Sequence, residues 1–247
     1  MRLHHRHIAG AADLPCLVFL HEGLGCDAMW KDFPDQLCRA TASPGLVYDR
    51  QGYGKSDPLS RPRAIHYLHE YALVELPLLL QSLLPDRDYI LVGHSDGGSI
   101  ALLHAAEQPA RLKGVIAVAA HVFVEDLTLA GIRQARDAWH AGKLAGLARH
   151  HGDKTEALFH AWADTWLSPG FAHWNIEYAL PSISSPLLAM QGAGDQYGSA
   201  AQLDAIAGQS RRGRQALLPD CGHSPHLESP QAALAAMADF ILNLAAA

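Results

Sequence analysis

The stretch Leu91-Val92-Gly93-His94-Ser95-Asp96-Gly97-Gly98 sets one serine between glycines two residues away on either side, where an apolar run ends and a helical pattern begins. G-x-S-x-G at such a junction is the pattern of a nucleophile elbow. The turn is tight enough that a Cβ at either glycine would collide, and the strained serine pushes its Oγ clear of the sheet edge. A serine hydroxyl is a weak nucleophile until a base takes its proton, and the base needs a carboxylate to orient it. Downstream, Asp195 follows the apolar run Pro186–Met190, and His223 follows Ala216-Leu217-Leu218 through Pro219-Asp220-Cys221-Gly222. Serine, acid and histidine in that chain order, each just past a strand, form a relay suited to acyl transfer. Both later elements are expected beside the serine strand, on the same edge of the sheet. Glu125 and Asp126 are the alternative acids. His226, inside or near the start of the last helix, is the alternative base, and Asp220 is too close to His223 in the chain to reach its far ring nitrogen. A charge developing on the attacked oxygen needs fixed donors. The Asp96 N–H, at a helix N-terminus, is one, and the glycine-rich loop His21-Glu22-Gly23-Leu24-Gly25 should supply the other. The Asp96 side chain reads as a helix cap without assigned chemistry.

These groups must be carried by a scaffold, and the apolar runs describe one. Cys16–Leu20, Leu46–Tyr48, Tyr89–Val92, Val115–Ala119 and Pro186–Met190 are short and apolar on both faces, as central strands of a parallel sheet are. A further strand is expected near Arg214–Leu218, and Arg2–Ile8 supplies a short edge strand. Helix-length segments lie at His66–Leu84, Ser99–Gln108, Ala200–Ala207 and Gln231–Leu244. The alternation predicts an α/β fold with a doubly wound, mostly parallel sheet. One segment breaks it. Residues 124–181 show helical patterns without a strand and hold Trp139, Trp162, Trp166 and Trp174, four of the five tryptophans. An inserted helical lid over the C-terminal edge of the sheet is expected there, with residues 1–123 and 182–247 forming the core. The four tryptophans are candidates for a substrate pocket, or else pack the insertion on the body. Ala245–Ala247 reads as a frayed tail.

Bulk properties narrow the function. A chain of 247 residues suits one large domain. The net charge of −6, without a basic stripe, argues against nucleic acid as a partner. No apolar run is long enough to span a bilayer. Asp13 and Pro15 break the apolar stretch that a signal peptide would need, so the protein reads as cytoplasmic. The four cysteines form no CxxC pair and read as free or buried thiols. HExxH is absent, while His4, His5 and His7 and the adjacent His150 and His151 read as surface histidines. Neither a metal nor a cofactor is expected.

The segments HEGLG at 21–25, DRQGYGKSDP at 49–58, VGHSDGG at 92–98, QGAGD at 191–195 and CGHSPH at 221–226 together resemble the α/β-hydrolase superfamily, in particular its small, lid-bearing serine hydrolases. The resemblance runs from about Leu14 to Leu244. It implies that Gly23 gives the second oxyanion N–H, with Leu24 as the alternative, and that His21, Arg50 and Ser56 are structural. Glu22 stands where the superfamily often has glycine, which could bring a carboxylate near the pocket. The implied mechanism has Ser95 attack a carbonyl, His223 shuttle the proton, Asp195 orient His223, and water release the acyl-enzyme. The implied partner is a small-molecule substrate. A carboxylic ester is the default, and thioesters, lactones and carbon–carbon bonds of diketones lie within reach of the same triad. A non-catalytic ligand-binding protein on this fold is the competing class. The lid segment carries five Lys/Arg against seven Asp/Glu and so has no strong field of one sign.

Overall fold

A computed structural model describes residues 2–245. Seven strands form one sheet: β1 (His5–Ile8), β2 (Cys16–Leu20), β3 (Gly45–Tyr48), β4 (Tyr89–His94), β5 (Leu112–Val118), β6 (Leu187–Gly192) and β7 (Gly213–Leu218). Their spatial order is β1-β3-β2-β4-β5-β6-β7. β1 runs antiparallel to β3 at the edge, and every other pairing is parallel. The helices are α1 (Phe33–Thr41), α2 (Tyr67–Glu70), α3 (Leu76–Leu83), α4 (Asp96–Ala106), α5 (Asp126–His140), α6 (Ala148–His151), α7 (Thr155–Trp166), α8 (Ala200–Gln209), α9 (Pro225–Glu228) and α10 (Pro230–Ala245). The tail expected at Ala245–Ala247 lies, beyond Ala245, outside the described residues.

The two-residue period of the strands divides the interior into two cores. Val18, Leu20, Leu91, Val115, Ala117 and Leu187 face one layer, with Ile100, Leu102, Leu203 and Ile206 from α4 and α8. Their neighbours Leu17, Phe19, Ile90, Val92, Ile116 and Leu188 face the other, with Leu37 of α1 and Met237 and Phe240 of α10. All five residues of β2 are buried. Each large apolar side chain so enclosed contributes on the order of 1.5–3 kcal/mol. β7, at the other edge, is mostly half-exposed or exposed.

Several boundaries moved for local reasons. The helix expected at Ser99–Gln108 begins directly after Ser95, as an elbow requires. The helix expected over His66–Leu84 is α2, a π-helical turn at Tyr71–Glu75, and then α3. Pro77, in the first turn of α3, offers no N–H and its ring would crowd the carbonyl four residues back, which accounts for the widened turn before it. α1 has no counterpart among the expected elements, although Pro34 in its first turn and the buried Phe33, Leu37, Cys38 and Thr41 mark a helix with one apolar face. Residues 124–181 hold α5, α6, α7 and short 3-10 turns, pinned at their base by one antiparallel bridge between Phe123 and Asn175.

The topology fixes where chemistry can happen. The chain leaves β2 outward to β3, then crosses back to β4 on the other side of β2. Loops leaving β2 and β4 therefore diverge at the carboxyl end of the sheet, where a crevice forms. The expectation that the acid and histidine strands flank the serine strand is corrected: β5 lies between β4 and β6, and β7 lies farther out. The loops after β6 and β7 span the difference by leaning back over β5.

Candidate active site

Ser95 sits between β4 and α4 with φ 53° and ψ −117°, a left-handed conformation that a non-glycine residue adopts only under constraint. The constraint is the packing of the elbow on β2. A Cβ added at Gly97 would lie 2.0 Å from the Leu20 carbonyl oxygen, and one at Gly93 would lie 2.2 Å from the Gly97 carbonyl oxygen. The Ser95 Oγ lies 3.0 Å from Nε2 of His223. Nδ1 of His223 lies 2.9 Å from each carboxylate oxygen of Asp195. A carboxylate only accepts, so Nδ1 carries the proton and Nε2 offers its lone pair to the serine hydroxyl.

Asp195 and the loop that carries His223 are both held from behind. Asp195 Oδ1 accepts the Tyr197 N–H at 2.8 Å and the Gly198 N–H at 3.3 Å, an Asx turn that aims the carboxylate. Burial raises the Asp195 pKa, but the hydrogen bond and charge of His223, with the Tyr197 N–H, outweigh it and leave the carboxyl below its ordinary value. The His223 carbonyl accepts the His94 Nε2 proton at 2.8 Å, and Glu228 clamps the same loop by accepting the Gly222 and Ser224 N–H groups.

The alternatives named from sequence lie elsewhere. Glu125 accepts from the Ser199 N–H and hydroxyl and from Gln202. Asp126 occupies the first turn of α5. Asp220 lies in the turn before His223 with φ 51°. His226 packs its ring 4.6 Å from Trp30 and 4.8 Å from His94. The Asp96 side chain does not cap α4; it is buried and accepts the Tyr67 hydroxyl at 2.8 Å.

The first loop is built from the inside. His21 donates from Nδ1 to the Glu22 carbonyl and accepts the Arg50 N–H on Nε2. The fully buried Arg50 guanidinium donates to the His21 and Glu22 carbonyls, and Ser56 donates to the Asp49 carbonyl. The Glu22 carboxylate turns back to accept the Leu24 N–H. That removes Leu24 as a ready donor and leaves Gly23 and Asp96, whose N–H groups donate to no acceptor among the described residues.

A cavity of about 330 Å³ opens over Ser95, lined by the first loop, His121, Trp162, Trp166, Tyr197 and apolar residues of the helical segment. Of the four tryptophans considered from sequence, Trp162 and Trp166 line it. Trp139 and Trp174 do not: Trp139 stacks on Phe159 and Trp174 on Phe171, inside the helical segment. The indole nitrogen of Trp162 lies 2.3 Å from where a Gly23 Cβ would stand, which fixes glycine there. Trp166 donates to the Tyr67 hydroxyl and so reaches Asp96 through one intermediary.

His151 corrects the expectation of a surface histidine. It is buried, accepts the Gly54 N–H on Nδ1 and donates from Nε2 to the Leu24 carbonyl, tying the helical segment to the first loop. Lys154 adds bonds to the Tyr53, Gly54 and Ser56 carbonyls. No sequence signal marks His151 or Tyr67, because their partners are distant in the chain. Tyr197, two residues past an aspartate in a turn, was open to an Asx-turn reading. All four cysteines are buried free thiols.

The histidines around His223 make the site acid-sensitive. Burial lowers the pKa of His94, His121 and His226, with the charge of His223 adding to the effect, and His226 is pushed down to about 4. A buried histidine whose folded pKa lies below its unfolded value binds fewer protons when folded. Its stabilising contribution is complete above about pH 6.5 and is lost as pH falls from there towards 4. For His226 the full span is about 3 kcal/mol. Urea unfolding at about pH 7.5 and pH 5 should show a pronounced loss, and His226→Phe should remove about 2 kcal/mol of the difference. An unchanged pH slope in that variant would show that His226 is not buried as a neutral ring.

Comparison with known proteins agrees with this architecture. The family model described as "Alpha/beta hydrolase family" matches residues 17–237. A 2-succinyl-6-hydroxy-2,4-cyclohexadiene-1-carboxylate synthase of Serratia proteamaculans (strain 568) is 26% identical over 268 residues, covering 95% of this chain and 96% of the relative. The biotin biosynthesis bifunctional protein BioHC of Cellvibrio japonicus (strain Ueda107) is 26% identical over 259 residues, covering 94% of this chain and 49% of that protein. Among solved structures, the enol-lactonase from Burkholderia xenovorans LB400 superposes with a TM-score of 0.73 at 21% identity, covering 97% of this chain and 96% of the other. At that identity the likeness speaks for the fold alone. The family match spans most of the sheet together with the serine, acid and histidine loops, and the chain belongs to the alpha/beta hydrolase family.

Proposed function

We propose that the protein is a serine hydrolase that cleaves a small carboxylic ester, or a related acyl bond, through an acyl-enzyme. The observation that carries this reading is the continuous chain from Ser95 Oγ through His223 to Asp195, at 3.0 and 2.9 Å, on a strained elbow beside two free N–H groups. Ser95 Oγ attacks the substrate carbonyl while His223 Nε2 takes its proton. The oxygen that becomes negative lies between the Gly23 and Asp96 N–H groups, and the loss of one such donor typically costs about 2.7–4 kcal/mol of transition-state stabilisation. His223 returns the proton to the leaving oxygen. A water molecule, deprotonated by the same ring, then releases the acid and restores the serine. Asp195 keeps the ring in the useful tautomer and balances its charge when protonated. Residues 124–181 act as the lid, with Trp162 and Trp166 facing the acyl or alcohol group.

The name of the Serratia relative suggests a second reading, a synthase reaction whose product bears a ring carboxylate and a succinyl group. Glu22 and Asp96 line the cavity here, and none of its lining residues is Lys or Arg. Acidic groups in the wall repel a carboxylate-rich substrate, so the neutral-ester reading is favoured. A lactone is an internal ester and falls within it.

A fluorophosphonate probe tests the reading directly. Wild-type protein should be labelled on Ser95 and Ser95→Ala should not. A series of p-nitrophenyl esters should then show turnover concentrated in short and medium acyl chains, as a cavity of about 330 Å³ demands. Folded protein that neither reacts with the probe nor turns over any ester would replace this reading with a ligand-binding role.

A further inference from the structure

Two acidic side chains line the cavity without a part in the ester mechanism: Asp96, which is bound to Tyr67, and Glu22. Glu22 stands between the structural His21 and the oxyanion residue Gly23. Its backbone is fixed, since the Glu22 carbonyl accepts from both His21 Nδ1 and Arg50. Its side chain is fixed as well, because Oε2 accepts the Leu24 N–H at 2.5 Å. Oε1 lies over Gly25, 2.8 Å from where a Cβ there would be, and among the described residues no donor takes it. The carboxylate therefore enters the cavity wall with one oxygen bound and the other open.

No side chain among the described residues donates to it. The charges of Arg50 and His223 favour its ionised form, but the Arg50 guanidinium donates to backbone carbonyls. Asp96 adds a like charge, and His223 is already bound to Asp195. Burial pushes the Glu22 carboxyl upward and Asp96 adds to this, the Leu24 N–H, Arg50 and His223 pull it back, and the net direction is above the ordinary value. A carboxylate in a mostly apolar cavity is costly unless its acceptor capacity is filled. Water can fill it in the free protein, but a substrate that expels the water must supply a donor itself.

Taking the ester-hydrolase reading as its basis, we propose that Glu22 determines specificity by accepting a hydrogen bond from a hydroxyl or ammonium group that the substrate carries beside its scissile carbonyl. Glu22, Gly23 and Ser95 line one cavity, and Gly23 offers the N–H that meets the carbonyl oxygen, so the donor is assigned to the carbon bearing that carbonyl, the part of the substrate held nearest this loop. The preferred substrate is then an ester with a donor on its α-carbon. A carboxylate in that place meets the Glu22 charge and is rejected, and a plain alkyl group leaves the carboxylate dehydrated and unpaired.

Four esters with one leaving group test this: the lactate (α-hydroxyl), alanine (α-ammonium), propionate (unsubstituted) and malonate half-ester (α-carboxylate) forms. In the wild type, kcat/KM for the lactate or the alanine ester should exceed that for propionate by about tenfold or more. A lead by the lactate ester identifies the donor as a neutral hydroxyl, and a lead by the alanine ester as an ammonium. The malonate half-ester should be the poorest of the four. In Glu22→Gln the ratio of the better donor ester to propionate should fall towards one, and the malonate half-ester should gain relative to propionate. A wild-type ratio near one overturns the proposal whether or not the variant folds. So does an unchanged ratio in folded Glu22→Gln, since a purely structural role in the loop would slow all four esters alike. Fluorophosphonate labelling of Ser95, measured on the same samples, separates the two failures: an unlabelled wild type defeats the hydrolase reading, whereas a labelled wild type without selectivity defeats only the role of Glu22.

Discussion

Asp195→Asn is expected to keep the fold and to lower kcat on an activated ester by about 10⁴-fold. The geometry says why so small a change should do so much. Both backbone N–H groups that orient Asp195, from Tyr197 and Gly198, bind Oδ1. An asparagine would keep its carbonyl oxygen on them and place its NH2 group where Oδ2 now stands, 2.9 Å from His223 Nδ1. The NH2 group there competes with the oxygen at the Oδ1 position, also 2.9 Å from Nδ1, and where Nδ1 accepts from the amide the ring proton moves to Nε2. Nε2 then presents a proton to Ser95 Oγ across 3.0 Å, where a lone pair is needed, and the serine cannot be deprotonated. Esterase kinetics with unfolding midpoints on the same preparations decide it. A folded variant within tenfold of wild type would mean that Asp195 does not set the tautomer. Labelling of Ser95 should slow in parallel, because the probe needs the same deprotonation.

That Ser95, Asp195 and His223 meet was readable because each follows a short apolar run and stands in a turn, and turn chemistry is local. Gly93 and Gly97 announced the elbow for the same reason. What escaped was what depends on packing between distant segments. The sequence cannot tell that β5 separates β4 from β6, because strand order is decided by how crossover helices cover the two faces. Trp139 and Trp162 look equally suited to a pocket, yet one stacks on Phe159 and the other lies against Gly23. His151 resembles any exposed histidine beside another, but its two ring nitrogens are matched to Gly54 and Leu24, roughly a hundred or more residues earlier. α1 was legible in principle: its apolar positions are correctly spaced, but a nine-residue helix opening on Phe33-Pro34 gives a weak signal.

The same long-range contacts decide how the helical segment relates to the site. His151 and Lys154 join it to the loops after β2 and β3, and Trp166 joins it through Tyr67 to Asp96. Two of these attachments, His151 to the Leu24 carbonyl and Trp166 through Tyr67 to Asp96, reach the two places that carry the proposed oxyanion donors. The N–H of Asp96 depends on α4 remaining in place, and Asp96 is bound to Tyr67, so the tryptophan and tyrosine support the donor from behind.

Gly97→Ala is expected to destabilise the protein by about 3 kcal/mol or more, a large part of the roughly 5–15 kcal/mol that holds a domain together. The added methyl would lie 2.0 Å from the Leu20 carbonyl oxygen, 2.6 Å from the Leu20 carbonyl carbon and 2.7 Å from the His21 carbonyl oxygen. These are backbone atoms at the end of β2, paired to β4 at Leu20–Gly93, and no side chain can rotate away to make room. Relief requires the end of β2 to part from α4, which carries the His21–Gly25 loop and its Gly23 donor away from Ser95. The fraction that folds should therefore also lose most of the ester turnover proposed for the wild type. Gly208→Ala is the matched control. Gly208 lies in α8 with nothing within 4 Å of an added Cβ, so the exchange should gain up to about 1 kcal/mol from helix propensity and the reduced entropy of the unfolded chain. Urea midpoints of the two variants should move in opposite directions from wild type. If Gly97→Ala unfolds at the wild-type midpoint, the close approach of the elbow to β2 is not what sets the strained geometry at Ser95.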